Sequence, residues 1–411
     1  MRISAFAVDK ANGRVRASAR IAWEDSPRDE TEVFIESEAD LSPGLSCNPH
    51  AFLLACLAPA IHYGERRLYL DAELCPVLKD GVATATSILH DWFYRGKRPP
   101  IQVEARTLMR GLATPAAERA AFFFSGGIDS YATLSLNRLS FSHDHPYSIK
   151  DGILVFGLEQ DDPEKFEHVK EHLGRAAEAC GISLVPVYTN MYLPYRPEDA
   201  RSGYNFWQLE FMGLALASVA HALSPRLSRA SIASTDSYRT LRPHGSHPLL
   251  DPSYSSSDMT ILHTGIALTR LEKTRVIAEW GPPLKSLRVC NLYQRYRRGA
   301  VNCGECEKCL RTKLALLALD KLGDAAVFST PEVTVEMLER RVRLTTEYKM
   351  ACYEELIEPL AARGHARIAR ALSGKVEEYR RRGPWTSGGA QTLHRRAFRK
   401  LASLVSRGNG G

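Results

Sequence analysis

The chain has 411 residues, 44% hydrophobic and 25% charged, which is ordinary for a globular protein of two or three domains. The opening "MRISAFAVDK" lacks the long apolar core of a secretory signal, and no run approaches the ~18 apolar residues of a membrane span, so a cytoplasmic protein is expected. The net charge of +7 is local: Arg363 to Gly411 holds twelve Lys and Arg against two acids, leaving 42 basic and 45 acidic residues elsewhere, which excludes a nucleic-acid binder by body charge.

Residues 1–112 read as a small α+β domain. "GRVRASARIAWED" and "TEVFIES" alternate with period two and suit strands. "NPHAFLLACLAPAIHYG" is a buried helix behind Asn48, "RRLYLD" and "IQVEAR" are short strands, and "ATATSILHDWFYRG" is a helix ended by Gly96.

Residues 116–328 change style. The apolar runs "AAFFFSGG", "GILVFGLEQ", "SLVPVYTN" and "RASIASTDS" end in small or polar residues. Helices such as "DPEKFEHVKEHLGRAAEAC" and "NFWQLEFMGLALASVAHAL" fall between them. Apolar strands alternating with helices predict an α/β domain whose parallel sheet is covered on both faces and binds ligands at the carboxyl ends of its strands. Residues 329–411 read as a helical, basic extension: one or two helices over 331–364, another over 364–383, a linker "RGPWTSGG" and an amphipathic helix to 408.

Within the second segment, "FFFSGGIDSYATL" reads as strand, tight loop, helix. Gly126 and Gly127 allow the turn and clear its surface, so backbone amides and the helix terminus can hold an anion. Ser125 and Ser130 add hydroxyl donors. Asp129 beside an anion calls for a cation, and Mg²⁺ between the acid and phosphates is the economical choice. The loop lacks the lysine and the longer glycine spacing of a Walker A motif.

Nine cysteines occur, and Cys303, Cys306 and Cys309 share two C-x-x-C steps, with Cys290 upstream. Four thiolates suit a closed, structural tetrahedral Zn²⁺ site. An iron–sulfur cluster is the rival, but the C-x₃-C-P continuation of ferredoxin sites is absent. Lys308, Arg311 and Lys313 would offset the centre's negative charge. The aperiodic stretch 236–258 follows an apolar strand and carries Asp236, Arg239, Arg242, His244, His247 and Asp251. A loop of this length reads as a substrate loop, or as a surface excursion. Lys273 near a helix start could reach phosphate, or be a solvated lysine.

The pattern S-G-G-x-D-S resembles that of the PP-loop ATP pyrophosphatases of the adenine nucleotide alpha hydrolase-like superfamily. With the polar loop, the Lys273 helix and the four cysteines in that order, residues 118–325 resemble 7-cyano-7-deazaguanine synthase, the QueC family. Ser125 to Ser130 match its phosphate loop, Ser234 to Asp236 stand at its Gly-x-Asn, and "HPLLD", His247 to Asp251, loosely occupies its Y-P-D. Lys273 matches its lysine, and Cys290, Cys303, Cys306 and Cys309 match its zinc ligands. The resemblance implies an α/β fold of that superfamily, ATP with Mg²⁺, and a structural Zn²⁺. It implies a reaction in which a carboxylate takes AMP from ATP, releases pyrophosphate and is then captured by an amine.

The implied roles are catalytic for Asp129, Ser130 and Lys273. Ser125, Gly126, Gly127, Asp129 and Ser130 would hold the nucleotide, and Asp236, His247 and Asp251 the acid. The chain departs from the family in length, in the changed G-x-N and Y-P-D-C sequences and in the twelve residues between Cys290 and Cys303. It looks more like the longer QueC-like proteins that accompany anti-phage defence operons, where a protein or peptide amine can replace ammonia. The expected partners are therefore ATP, a small acid, favoured as deazaguanine-type, and an amine. No membrane partner is expected, and a homodimer is left open. Two other readings compete: a tRNA-thiolating enzyme using the basic tail (Arg395, Arg396, Arg399, Lys400), and a silent nucleotide sensor that recruits a partner. The cysteines' commitment to metal argues against the first, and the intact Asp129 against the second.

Overall fold

The computed structural model describes residues 1–41, 44–107, 119–158, 161–290, 301–328, 330 and 332–382. They form two compact units, Met1–Cys303 with Gly323–Ser329, and Gly304–Leu322 with Thr330–Gly411. All but the first residue of the linker at 382–389, the helix expected to end at 408, the basic tail and most of the Cys290–Cys303 interval lie outside the described residues.

The first unit is α/β and is built on one ten-stranded, mostly parallel sheet. Its strands are β1 (Arg2–Ala11), β2 (Arg14–Ala22), β3 (Thr31–Glu38), β4 (Arg67–Leu74), β5 (Gln102–Thr107), β6 (Ala120–Phe123), β7 (Ile149–Phe156), β8 (Ser183–Thr189), β9 (Arg229–Ala233) and β10 (Thr260–Thr264). The spatial order is β10-β9-β6-β7-β8-β3-β2-β1-β4-β5. β10, β9, β6, β7 and β8 are parallel, as the apolar runs predict. β6 is the first of these five in sequence, with two strands following on one side and two on the other. That reversal is a topological switch point, where a crevice opens at the carboxyl ends of the strands.

The separation expected at 112–116 is not where the architecture divides. β3 pairs antiparallel with β8 through Ile35 to Thr189, Glu36 to Tyr188 and Ser37 to Val187. Without β3, β8 would end the parallel sheet with a row of unpaired backbone groups, and this pairing covers it. The hydrophobic core is likewise continuous, running from Ile3 and Phe52 to Leu214 and Ile261. Helix α1 (Pro49–Tyr63) starts at Asn48, whose side chain accepts from the His50 amide. It is buried on nearly all sides and packs on α6 (Met212–Ala222), which is likewise almost wholly buried. Helix α2 spans Pro76–Leu89 and a π-helical turn carries the chain to Tyr94, so this helix begins seven residues before the expected one. Further helices of the first unit include α3 (Ile128–Ser140), α4 (Pro163–Ala179) and the short α5 (Arg196–Ser202).

At the opposite, amino end of the parallel strands, Asp151 in β7 is fully buried between two arginines. Arg119 donates to it at 2.6 and 2.7 Å and Arg226 at 2.8 and 2.9 Å. Burial alone would raise its pKa, but the two guanidinium groups outweigh this and hold it below the usual carboxylate range. A depressed pKa contributes stability above the unfolded value of about 3.9, lost as pH falls through the folded value. Asp151→Asn should therefore cost roughly 3–5 kcal/mol at pH 7 and flatten the acid side of the stability curve, as read by urea unfolding from pH 7 to 3. A variant as stable as the parent at pH 7 would contradict this account.

The second unit is helical: α8 (Glu307–Ala318), α9 (Val335–Arg341), α10 (Glu347–Glu354), α11 (Ile357–Ala362) and α12 (Ala366–Arg382). The stretch 331–364, expected as one or two helices, contains three short ones, two of them started by the side-chain caps Thr334 and Thr346. α12 packs on α9, α10 and α11, and Tyr353 donates to Glu307 at 3.0 Å. Among the described residues, no helix is long and apolar enough to cross a membrane.

Candidate functional site at the sheet's switch point

β6 delivers Phe124 and Ser125 to the carboxyl edge of the sheet, where the chain turns into α3. Gly126 makes the turn with φ of +74°. A Cβ there would meet the Leu173 side chain at 2.7 Å and the Arg288 Cβ at 3.2 Å, so both conformation and space demand glycine. Gly127 is the N-cap and offers no side chain, which leaves the first amides of α3 uncapped by the protein. The Gly127 amide donates to Ser125 Oγ at 3.3 Å, Ser125 Oγ lies 3.3 Å from Ser130 Oγ, and Ser130 Oγ donates to the Gly127 carbonyl at 3.0 Å. Ser125 is exposed and Ser130 buried, and both hydroxyls brace the turn.

Asp129 is not solitary. Helix α7 (Arg270–Trp280) begins with a capping box in which Thr269 accepts from the Glu272 amide and Glu272 accepts from the Thr269 amide. Arg270 and Lys273, three apart and so on one face, both reach Asp129, at 2.5 Å and 3.3 Å. Burial would raise the Asp129 pKa, but these two cations hold it below the usual carboxylate range. The Mg²⁺ expected beside Asp129 is thus not needed to neutralise it, because the protein supplies the positive charge.

Lys273 also joins the two halves of the switch point. Its ammonium group, 1% exposed, donates to the carbonyl of Ser234 at 2.6 Å and of Asp236 at 3.4 Å, just beyond β9. The solvated alternative for this lysine is therefore set aside. Asp129, Ser130, Lys273 and the start of the polar loop lie together, as their proposed roles require.

The loop 236–258 is folded against the body. Gly245 accepts from the Gly213 amide at 2.9 Å and donates to the Gln208 carbonyl at 2.8 Å. A Cβ on Gly213 would come within 2.5 Å of the Gly245 oxygen, so loop and helix backbones touch. The loop closes a narrow cleft lined by Ser234, Asp236, His244, Ser246, His247 and His263 among others. Asp236 is 7% exposed, and its Oδ1 has no hydrogen-bond partner among the described residues. Burial pushes His244 and His247 below the usual imidazole range, so both are neutral at pH 7. His247 also packs edge-on against Trp92, with ring centroids 4.9 Å apart.

Asp251, expected to touch the acid, has another place. It is fully buried and accepts from Ser246 Oγ at 2.7 Å, His263 Nδ1 at 2.8 Å and the His247 amide at 3.3 Å. Its oxygens are taken by protein donors, so it organises the loop and His263 instead.

The four cysteines converge as their spacing implies. The sulfurs of Cys290, Cys303, Cys306 and Cys309 all lie within 4.8 Å of one another, close to the roughly 3.8 Å edges of a tetrahedron with 2.3 Å Zn–S bonds. This cluster could hold a metal such as zinc. Gly304, with φ of +74°, makes the turn inside the first C-x-x-C step. Asn302 accepts from the amides of Val289 at 2.9 Å and Cys290 at 3.2 Å, and donates to the Leu287 carbonyl at 2.7 Å. The same segment touches the phosphate-type loop: the Arg288 amide donates to the Gly126 carbonyl at 2.8 Å, and its guanidinium to the Ser125 carbonyl at 3.1 Å. Lys313, fully buried, donates to the Gly304 carbonyl at 3.1 Å.

Arg270, Arg288 and His263 were missed in the sequence. Arg270 had a signal, its i, i+3 spacing from Lys273 behind a capping box. Arg288 and His263 had none, since only the tertiary fold brings them to the site.

No protein-family model, no curated protein and no solved structure matches the chain. Fold and site together define a class: an α/β protein with a large, mostly parallel sheet, a glycine turn feeding a helix at its switch point, and a four-cysteine cluster suited to a metal such as zinc.

Proposed function

We propose that the chain is an ATP-dependent ligase of the PP-loop, QueC-like kind, which adenylates a small carboxylic acid, favoured as deazaguanine-type, and passes the acyl group to ammonia or to a protein or peptide amine. The observation that carries this reading is the lysine-free turn Ser125–Ser130 at the switch point, with the cations Arg270 and Lys273 against its only acid. Uncapped amides and the exposed Ser125 suit the β- and γ-phosphates as a leaving pyrophosphate. The 3-2-1-4-5 order of the five parallel strands supports the adenine nucleotide alpha hydrolase-like assignment.

In this reading the acid sits in the cleft of Asp236 and His247, with its carboxylate toward Lys273. Attack on the α-phosphorus forms the acyl-adenylate, and Lys273 and Arg270 offset the negative charge that gathers there. Mg²⁺ arrives with ATP, and Asp129 is the loop carboxylate that would meet it. Zn²⁺ at the four cysteines would be structural, holding the Arg288–Cys290 segment on the turn.

Acid-dependent exchange of labelled pyrophosphate into ATP tests the reading. Ser125→Ala should reduce it about tenfold or more, the scale of one lost charge-assisted hydrogen bond of about 1.5–3 kcal/mol. Exchange unaffected by Ser125→Ala would remove the turn from the chemistry.

A further inference from the structure

We propose that His263, held by Asp251, is the general base that deprotonates the incoming amine; this rests on the ligase reading above. His263 lies on β10, paired with Ile232 of β9, and its side chain is 4% exposed. Its Nδ1 is 2.8 Å from Asp251 Oδ2. An ionised carboxylate only accepts, so Nδ1 carries the proton and Nε2 presents its lone pair. Nε2 has no hydrogen-bond partner among the described residues, although His263 lines the cleft.

The cleft adjoins the adenylation site. Ser234 and Asp236, which line it, are the residues whose carbonyls hold Lys273, and Lys273 touches Asp129. An acyl-adenylate reaching from the turn into the cleft would bring its carbonyl carbon toward His263. The amine nitrogen attacks that carbon and the C–N bond forms. The C–O bond to AMP breaks, and AMP leaves with the electron pair on its phosphate oxygen. The proton lost by nitrogen goes to His263 Nε2, and Asp251 offsets the imidazolium charge. Asp251 acts through His263 and is a positioning residue.

The test compares His263→Asn with the parent, using ATP, 7-carboxy-7-deazaguanine and either ammonium or hydroxylamine. Asparagine keeps a donor toward Asp251 but has no base at the Nε2 position. The expected result is a ratio of amide formation from ammonia to acid-dependent ATP–pyrophosphate exchange lowered about 10²–10⁴-fold. Hydroxamate formation should fall far less, because hydroxylamine is largely unprotonated and strongly nucleophilic at neutral pH. His263→Gln, which also lacks a base, should give the same split and covers the case in which His263→Asn does not fold. Amide formation within threefold of the parent, or equal loss with both nucleophiles, would overturn the base assignment alone. A parent protein that forms no AMP with this acid would overturn the ligase reading, and the base with it.

Discussion

Cys290→Ser should leave the chain without its metal and markedly less stable. The Cys290 side chain is fully buried in a group of four sulfurs within 4.8 Å of one another, and a serine hydroxyl is a poor substitute for a thiolate. Structural zinc contributes about 10–16 kcal/mol of apparent binding energy in small domains, so even partial loss is several kcal/mol. The loss should travel to the turn, because Arg288, two residues before Cys290, is hydrogen-bonded to Gly126 and Ser125. Metal analysis of the parent should find about one zinc per chain and the variant almost none, with thermal unfolding lowered by roughly 10 °C or more. A parent with broad absorbance near ~400 nm would instead identify an iron–sulfur cluster. A variant that kept its zinc would show that three thiolates suffice.

Lys273→Met should have the largest effect on chemistry. The substitution roughly conserves volume in a site 1% exposed but removes the charge beside Asp129 and the donors to Ser234 and Asp236. Loss of one preorganised cation of this kind costs about 10²–10³-fold, or about 2.7–4 kcal/mol. The fall should appear in the adenylation half-reaction, before any amine is added. Lys273→Arg should rescue little, because a planar guanidinium does not reproduce a buried ammonium's contacts with two carbonyls on one side and a carboxylate on the other. Near-parent exchange in Lys273→Met would assign this lysine to loop architecture only.

Much of the frame was legible because its signals are local. The apolar runs before Gly126 and at 152–156, 183–189 and 229–233 became parallel strands, and Asn48, Gly127 and Gly304 act at element boundaries as their types suggest. The cysteine spacing foretold convergence because short C-x-x-C steps leave thiols few other places to go.

What was not legible is non-local. β1 went unread at the chain start, and it is held by β2 on one side and β4 on the other. β10 is a five-residue run within polar surroundings, held by β9. The union of 1–107 with the parallel strands rests on the β3–β8 pairing and on α1 packing against α6, which no periodicity encodes. In the site, Asp129 suggested a metal because its sequence neighbours offer no cation. Its partners come from 141 and 144 residues further along the chain. Asp251 read as a ligand contact because it is an acid in a polar loop, yet its neighbours in space are all donors from the protein.

The central claim is that the turn Ser125–Ser130 serves attack at the α-phosphorus of ATP. Its most direct measurement uses a carboxylic acid labelled with ¹⁸O in the carboxylate, with ATP, Mg²⁺ and an amine, and analyses the nucleotide by mass spectrometry. AMP carrying one labelled oxygen, with unlabelled pyrophosphate and an amide in equal amounts, is the result this account requires. ADP with labelled phosphate, or AMP without label, would contradict it.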